Sequence, residues 1–170
     1  LIEWAFISLG SNIQPEKHLR LAAERLLELG EQVYFSHVYQ STAVGPIRQE
    51  DFLNAAAKLC TDFDPLTIRR RLRQIEAALG RIRTEDKYAP RTIDLDLCLL
   101  GDRILRTESL VLPDPGLLVH PHLVVPMAEL DPEFPHPETM EPLGRIAQRL
   151  KEKSKLTRRE DVKLDALDDG

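Results

Sequence analysis

Between residues 93 and 100 the chain alternates Ile93, Leu95, Leu97 and Leu99 with Asp94, Asp96 and Cys98. A two-residue period marks a β-strand, because successive side chains leave a strand on opposite faces. One face of this strand is wholly aliphatic and calls for a cover of helices. The other opens with two carboxylates, which need water or a counter-ion because burying an unpaired charge is costly. Asp94 and Asp96 leave the strand on the same side, about 6.6 Å apart along it. Two readings follow: both aspartates face water on an open sheet face, or both hold divalent cations. For oxygen-only ligation magnesium is the fitting ion.

The order of elements around this strand narrows the fold. Residues 4–9 form a short apolar run that ends at Gly10, Ser11 and Asn12, a buried strand entering a turn. Pro15 opens a helix whose apolar residues Leu19, Ala22, Ala23, Leu26 and Leu27 recur at helical spacing up to Gly30. Residues 32–42 read as a second strand ended by Gly45-Pro46, and 52–61 as a third. Asp64-Pro65 starts a second helix, with Ile68, Leu72, Ile75 and Leu79 on one face. Strand, helix, strand, strand, helix, strand is the βαββαβ order of a ferredoxin-like α+β fold, an antiparallel sheet with helices on one face. C-terminal additions follow: an edge strand at 110–112 and short helices at 124–130 and 142–150. The expected organisation is a single domain over 1–150 and a charged, loosely held tail over 151–170.

A chain of 170 residues buries an adequate core without staples, so Cys60 and Cys98, both in apolar stretches, read as reduced buried thiols. The net charge of −5 gives no global attraction to nucleic acid or anionic lipid. No apolar run reaches the roughly 18 residues needed to span a bilayer, and the N-terminus lacks a basic segment followed by an apolar one. A cytoplasmic location is the expectation, with neither nucleic acid nor membrane as partner. The chain starts at Leu1 rather than at methionine, which fits either trimming or excision from a longer polypeptide.

Against this acidic background, Arg81, Arg83, Lys87 and Arg91 stand in the segment just before the aspartates. Guanidinium forks beside metal-binding carboxylates are what a polyphosphate needs, and Tyr88 adds a ring able to stack on a base. No Walker-type glycine loop with lysine occurs in the chain, so a nucleotide here depends on metal and arginine for its phosphates.

These residues resemble one family, the 6-hydroxymethyl-7,8-dihydropterin pyrophosphokinases. The resemblance runs from Trp4 to about Leu150. It rests on Ile7-Ser8-Leu9-Gly10-Ser11-Asn12, the loop over 39–46, Phe52-Leu53-Asn54-Ala55, Ile75-Glu76, Gly80-Arg81-Ile82-Arg83 and, most specifically, Pro90-Arg91-Thr92-Ile93-Asp94-Leu95-Asp96. It implies a monomeric enzyme of folate biosynthesis that transfers pyrophosphate from ATP to 6-hydroxymethyl-7,8-dihydropterin and releases AMP. Asp94 and Asp96 would hold two magnesium ions, and Arg81 and Arg91 would join them as catalytic groups, Arg81 from a mobile loop. Glu76, Arg83, Tyr88 and Arg91 would serve ATP. Ser41, Val44, Phe52 and Asn54 would serve the pterin, with Phe52 stacking on the bicycle and Asn54 reading its polar edge, and His122 would add a second ring.

The sequence departs from the family pattern mildly at Ser41, Phe52 and Tyr88, which often are threonine, tyrosine and tryptophan. It departs more at Asp114, His120 and His122, where histidine, arginine and phenylalanine are common. Two other readings stand beside this one. One is a nucleotidyl or phosphoryl transferase that uses the same aspartates on another acceptor. The other is a ferredoxin-like binding module without catalysis.

Overall fold

The computed structural model describes residues 1–42 and 49–165. In chain order the elements are β1 (Glu3–Ser11), α1 (Pro15–Leu26), β2 (Glu31–Phe35), β3 (Val38–Ser41), β4 (Phe52–Thr61), α2 (Pro65–Ala78) and β5 (Asp94–Leu100). After them come β6 (Leu105–Arg106), β7 (Val111–Leu112), a 3₁₀ turn (Pro115–Leu118), α3 (Pro121–Leu130), α4 (Leu143–Lys151) and β8 (Thr157–Arg159). The main sheet is antiparallel in the order β5-β1-β4-β3-β8, with β2 also paired to β4. The βαββαβ core is thus the ferredoxin-like arrangement that the sequence predicts.

Helices cover both faces of the sheet, not one. Leu19, Ala22 and Leu26 of α1, with Ile68 and Leu72 of α2, pack on Ile7, Leu9, Ala55, Ala57, Leu95 and Leu97. On the opposite side α3 and α4 lay Val124, Met127, Leu143 and Ile146 over Phe6, Ala56, Cys98 and Leu99. The physical reason is legible in β1, where Ala5, Phe6 and Ile7 are all fully buried. A continuous apolar run, unlike an alternating one, needs cover on both sides. Gly30 closes the turn after α1, where an added Cβ would stand 2.1 Å from the Cys60 carbonyl oxygen, so only glycine lets β2 approach β4 there.

Four further expectations need correction. The strand at 32–42 is two strands, because Ser36 interrupts the pairing: its N–H donates to Ala56 O and its Oγ accepts from Ala56 N, each at 2.9 Å. The strand near 110–112 is no edge of the main sheet but half of a two-stranded ribbon with β6. Cys98 is buried and Cys60 only half-buried, both as free thiols. The loosely held tail is absent over 156–165: β8 pairs with β3, Leu156 packs under α4's side of the sheet, and Val162 and Leu164 are 2% and 8% exposed in the α1–α2 core. Two well-spaced apolar residues hold this segment although its average composition is charged.

Candidate active site

Strand register puts the site's side chains on one face. Asp94 on β5 stands opposite Gly10 on β1, Gly10 opposite Asn54 on β4, and Asn54 opposite Tyr39 on β3. On either side of that row Asp96 opposes Ser8 and Phe52 opposes Ser41. Residues in register share a face, and this is the face that α3 and α4 cover only in part. Gly10 is the floor: a Cβ there would stand 3.6 Å from Asn54 Oδ1 and 3.9 Å from the Phe52 ring. Its bare backbone keeps open the space between the aspartates and Asn54.

The carboxylates are met by arginines from two directions. Arg91 Nη1 lies 3.1 Å from Asp94 Oδ2 and Arg81 Nη1 3.4 Å from Asp94 Oδ1. Asp96 is approached by Arg73 of α2, at 3.5 Å. Burial first, and the neighbouring Asp94 carboxylate second, push Asp96 up to about 6. The Arg81 side chain is 11% exposed and donates to the Ile93 carbonyl at 2.8 Å. Glu76 is 1% exposed; its carboxylate accepts from Arg73, Arg83 and the Leu95 N–H. It therefore faces the site through those arginines rather than directly.

Two cavities meet at the aspartates. One, of about 340 Å³, is lined by Ser8, Gly10, Ser41, Phe52, Asn54, Tyr88 and His122, among others. The other, also about 340 Å³, is lined by Arg73, Arg81, Arg83 and the segments 84–87 and 89–91. Lys87, Arg91, Asp94 and Asp96 belong to both and form the wall between them. A larger cleft of about 740 Å³ on the far side of Asn12 mixes Glu16, Glu50, Asp51 and Arg159 and touches neither aspartate.

In the first cavity Asn54 has a defined orientation. Its Nδ2 donates to Ser41 Oγ at 2.8 Å and to Tyr39 O at 3.3 Å, which leaves Oδ1 as the atom turned to the cavity beside Gly10. Arg91 lies with its guanidinium carbon 5.6 Å from the Phe52 ring centre. His122 closes the cavity at the start of α3, 5.2 Å from the His120 ring. Burial, then proximity to His120, lower His122 to about 4, so the ring is neutral at pH 7.

Comparison with known proteins gives the same answer from a different direction. The family model for 7,8-dihydro-6-hydroxymethylpterin-pyrophosphokinase (HPPK) matches residues 6–132. The chain belongs to the HPPK family. A 2-amino-4-hydroxy-6-hydroxymethyldihydropteridine pyrophosphokinase of Synechocystis is 35% identical over 149 residues, 86% of this chain and 75% of that protein. One of Haemophilus influenzae is 35% identical over 129 residues, 74% and 80% of the two chains. Among solved structures, wild-type HPPK-DHPS of Plasmodium falciparum with pteroate superposes with a TM-score of 0.70 at 12% identity, a likeness of fold. This chain covers 88% of itself in that match and 42% of the Plasmodium chain, so it spans under half of that solved protein.

Of the residues that the HPPK resemblance singles out, Asp94, Asp96, Arg81, Arg83, Arg91, Ser41, Phe52, Asn54 and His122 line one cavity or the other. Tyr88 lines the cavity of Phe52 and Asn54, not the arginine-lined one, and its carbonyl accepts from Gln49 Nε2 at 2.7 Å. Val44 lies outside the described residues. Sequence reasoning missed Arg73 and Asn12. Arg73 had a signal, since it stands three residues before Glu76 on one helix face. Asn12 joins three segments: its Oδ1 accepts from Arg91 N at 2.8 Å and its Nδ2 donates to Gln49 and to the Glu50 carbonyl.

Proposed function

We propose that this chain transfers the terminal pyrophosphoryl group of ATP to the hydroxymethyl oxygen of 6-hydroxymethyl-7,8-dihydropterin, giving AMP and the pterin diphosphate in folate biosynthesis. The observation that carries the reading is the shared wall: an arginine-lined cavity and an aromatic-and-amide cavity meet at Asp94, Asp96, Arg91 and Lys87. Donor and acceptor of a phosphorus-containing group thereby face one another across carboxylates and cations. Asn54 Oδ1 accepts from an N–H on the pterin's guanidine-like edge, and Ser41 holds that amide in place. Phe52 and His122 offer rings to the bicycle, His122 as a neutral one. Arg83 and Arg91 bind phosphate oxygens, and Arg81, fixed between Ile93 and Asp94, sets the carboxylate's direction.

The donor set fits magnesium. Among the described residues no cluster of three His, Cys, Asp or Glu side chains assembles, so protein ligation rests on Asp94 and Asp96. That is how magnesium sits in phosphoryl-transfer sites, on one or two carboxylates with phosphate and water completing its shell. Asp96, raised by burial and by its neighbour Asp94, has the Arg73 guanidinium 3.5 Å away. In this reading Asp94 and Asp96 hold two Mg²⁺ ions, whose chemistry is to neutralise charge on the phosphate oxygens. The chain's own groups contribute orientation and fixed positive charge, with no covalent intermediate. No helix among the described residues is long and apolar enough to cross a membrane. A cytoplasmic monomer with ATP and the pterin as its partners completes the proposal.

Phosphorus NMR of a reaction with ATP, Mg²⁺ and the reduced pterin tests it. AMP and a pterin diphosphate appearing in equal amounts support it. ADP with a pterin monophosphate means ordinary phosphoryl transfer, and binding without turnover means a module that has lost catalysis.

A further inference from the structure

β5 is an edge strand, and α2 supplies its missing partner. Glu76 Oε2 accepts from the Leu95 N–H at 2.8 Å and Arg73 Nη1 donates to the Leu95 carbonyl at 3.2 Å. The residue between the two aspartates is thus gripped through both backbone groups, as a neighbouring strand would grip it. Arg73 also reaches Glu76 Oε1 at 2.9 Å and, with its other nitrogen, Asp96 Oδ1 at 3.5 Å. The aspartates are served differently: Asp94 has Arg81 and Arg91, whereas Arg73 is the cation paired with Asp96 among the described residues.

The cluster's composition gives this pair a consequence. The cations Arg73, Arg81, Arg83, Lys87 and Arg91 stand among the carboxylates Glu76, Glu85, Asp86, Asp94 and Asp96, so what an arriving cation meets is decided by which carboxylate is already paired rather than by a net charge. A free divalent cation must compete with the Arg73 guanidinium for Asp96. A cation carried on a triphosphate brings surplus negative charge and gives Arg73 a new anion to pair with.

We propose that Arg73 is a positioning residue that keeps Asp96 paired in the nucleotide-free protein and releases it only to a divalent cation delivered with the triphosphate. This rests on the pyrophosphokinase reading and adds an order of loading to it. Mn²⁺ titration of the whole chain, followed by the electron-spin resonance of free Mn²⁺, tests the idea without turnover. Without nucleotide, Arg73→Gln and Arg73→Met bind Mn²⁺ on the order of tenfold more tightly than the unsubstituted chain, because a repelling and competing charge is gone. Arg73→Lys stays within about twofold of it. With an α,β-methylene ATP analogue present, the neutral variants lose that advantage. Neutral variants that melt normally yet bind free Mn²⁺ no better overturn the proposal.

A measurement on the unsubstituted chain needs no variant. The Arg73 Nε–H resonance should shift on adding the Mg²⁺–analogue complex and stay still with Mg²⁺ alone; a shift with Mg²⁺ alone overturns the proposal. AMP release is assayed separately. A chain that makes AMP but fails these tests loses only the role of Arg73, whereas one that makes no AMP loses the underlying reading.

Discussion

Asp96 is a residue whose ionised form the empty fold disfavours, since burial and Asp94 both raise its pKa. In the proposed role, replacing it by neutral asparagine removes a magnesium ligand and relieves its repulsion with Asp94. Asp96→Asn should lower AMP production by about 10²–10³-fold and leave the melting temperature unchanged or higher. Parallel activity assays and calorimetry check this, and a variant that loses both activity and melting temperature would point to a structural role. His122 has the opposite sign of pH dependence from an ion-paired histidine. Its folded value, about 4, lies below the ordinary 6.5, so the unfolded chain takes up the proton first on acidification. Its contribution is complete above about pH 6.5 and is lost as pH falls from there towards 4, amounting to about 1–3 kcal/mol once partial exposure is allowed for. In denaturant melts the chain should lose stability relative to His122→Phe as pH falls from about 6.5 towards 4; parallel curves would mean that the ring titrates normally. At this scale the aspartate pair was legible because alternation alone fixes which side chains share a face. The contacts of Arg73 and Glu76 with β5, and of Asn12 with Arg91, were not, because they join residues far apart in sequence.

Among the elements, β1 carries the floor of the acceptor cavity at Gly10. An added Cβ meets Asn54 and Phe52 only at ordinary contact distance, but the methyl groups of valine would fill the gap. Gly10→Val should raise the KM for the pterin at least tenfold while changing that for ATP less than threefold, measured by varying each substrate in turn. Equal effects on both would mean that the strand itself had moved. β8 makes a second case. It extends the sheet beside β3, the strand that holds Ser41, and Arg159 donates to Gln40 Oε1 at 3.1 Å. Val162, 2% exposed, seats the segment in the core. Val162→Ala should cost about 1–3 kcal/mol in chemical denaturation, and an unchanged midpoint would leave the segment peripheral. The helices were readable from their capping and spacing, as Asp64 accepting from Thr67 N at 2.9 Å bears out. β8 escaped notice because three residues of strand amid lysine, arginine and acid carry too little pattern to stand out, and its partner strand is far away in sequence.

For the molecule as a whole, two cavities of similar size share one charged wall, and the fold makes that possible by leaving one sheet face half covered. The end of β5 nearer Asp94 is where the apolar cover of α3 and α4 gives out, so strand register converts a sequence alternation into an open carboxylate pair. The general architecture was legible from the order of strands and helices. The second helical layer was not, because an apolar run says that both faces are buried without saying by what. The central claim is that Asp94 and Asp96 present their carboxylates to divalent cations between a triphosphate and its acceptor. Anomalous scattering from crystals grown with Mn²⁺, an α,β-methylene ATP analogue and the pterin tests it most directly. The account predicts manganese peaks within coordination distance of both carboxylates, lying between the arginine-lined and the Phe52–Asn54 cavities. Nucleotide and pterin bound with no manganese at Asp94 or Asp96 would contradict it.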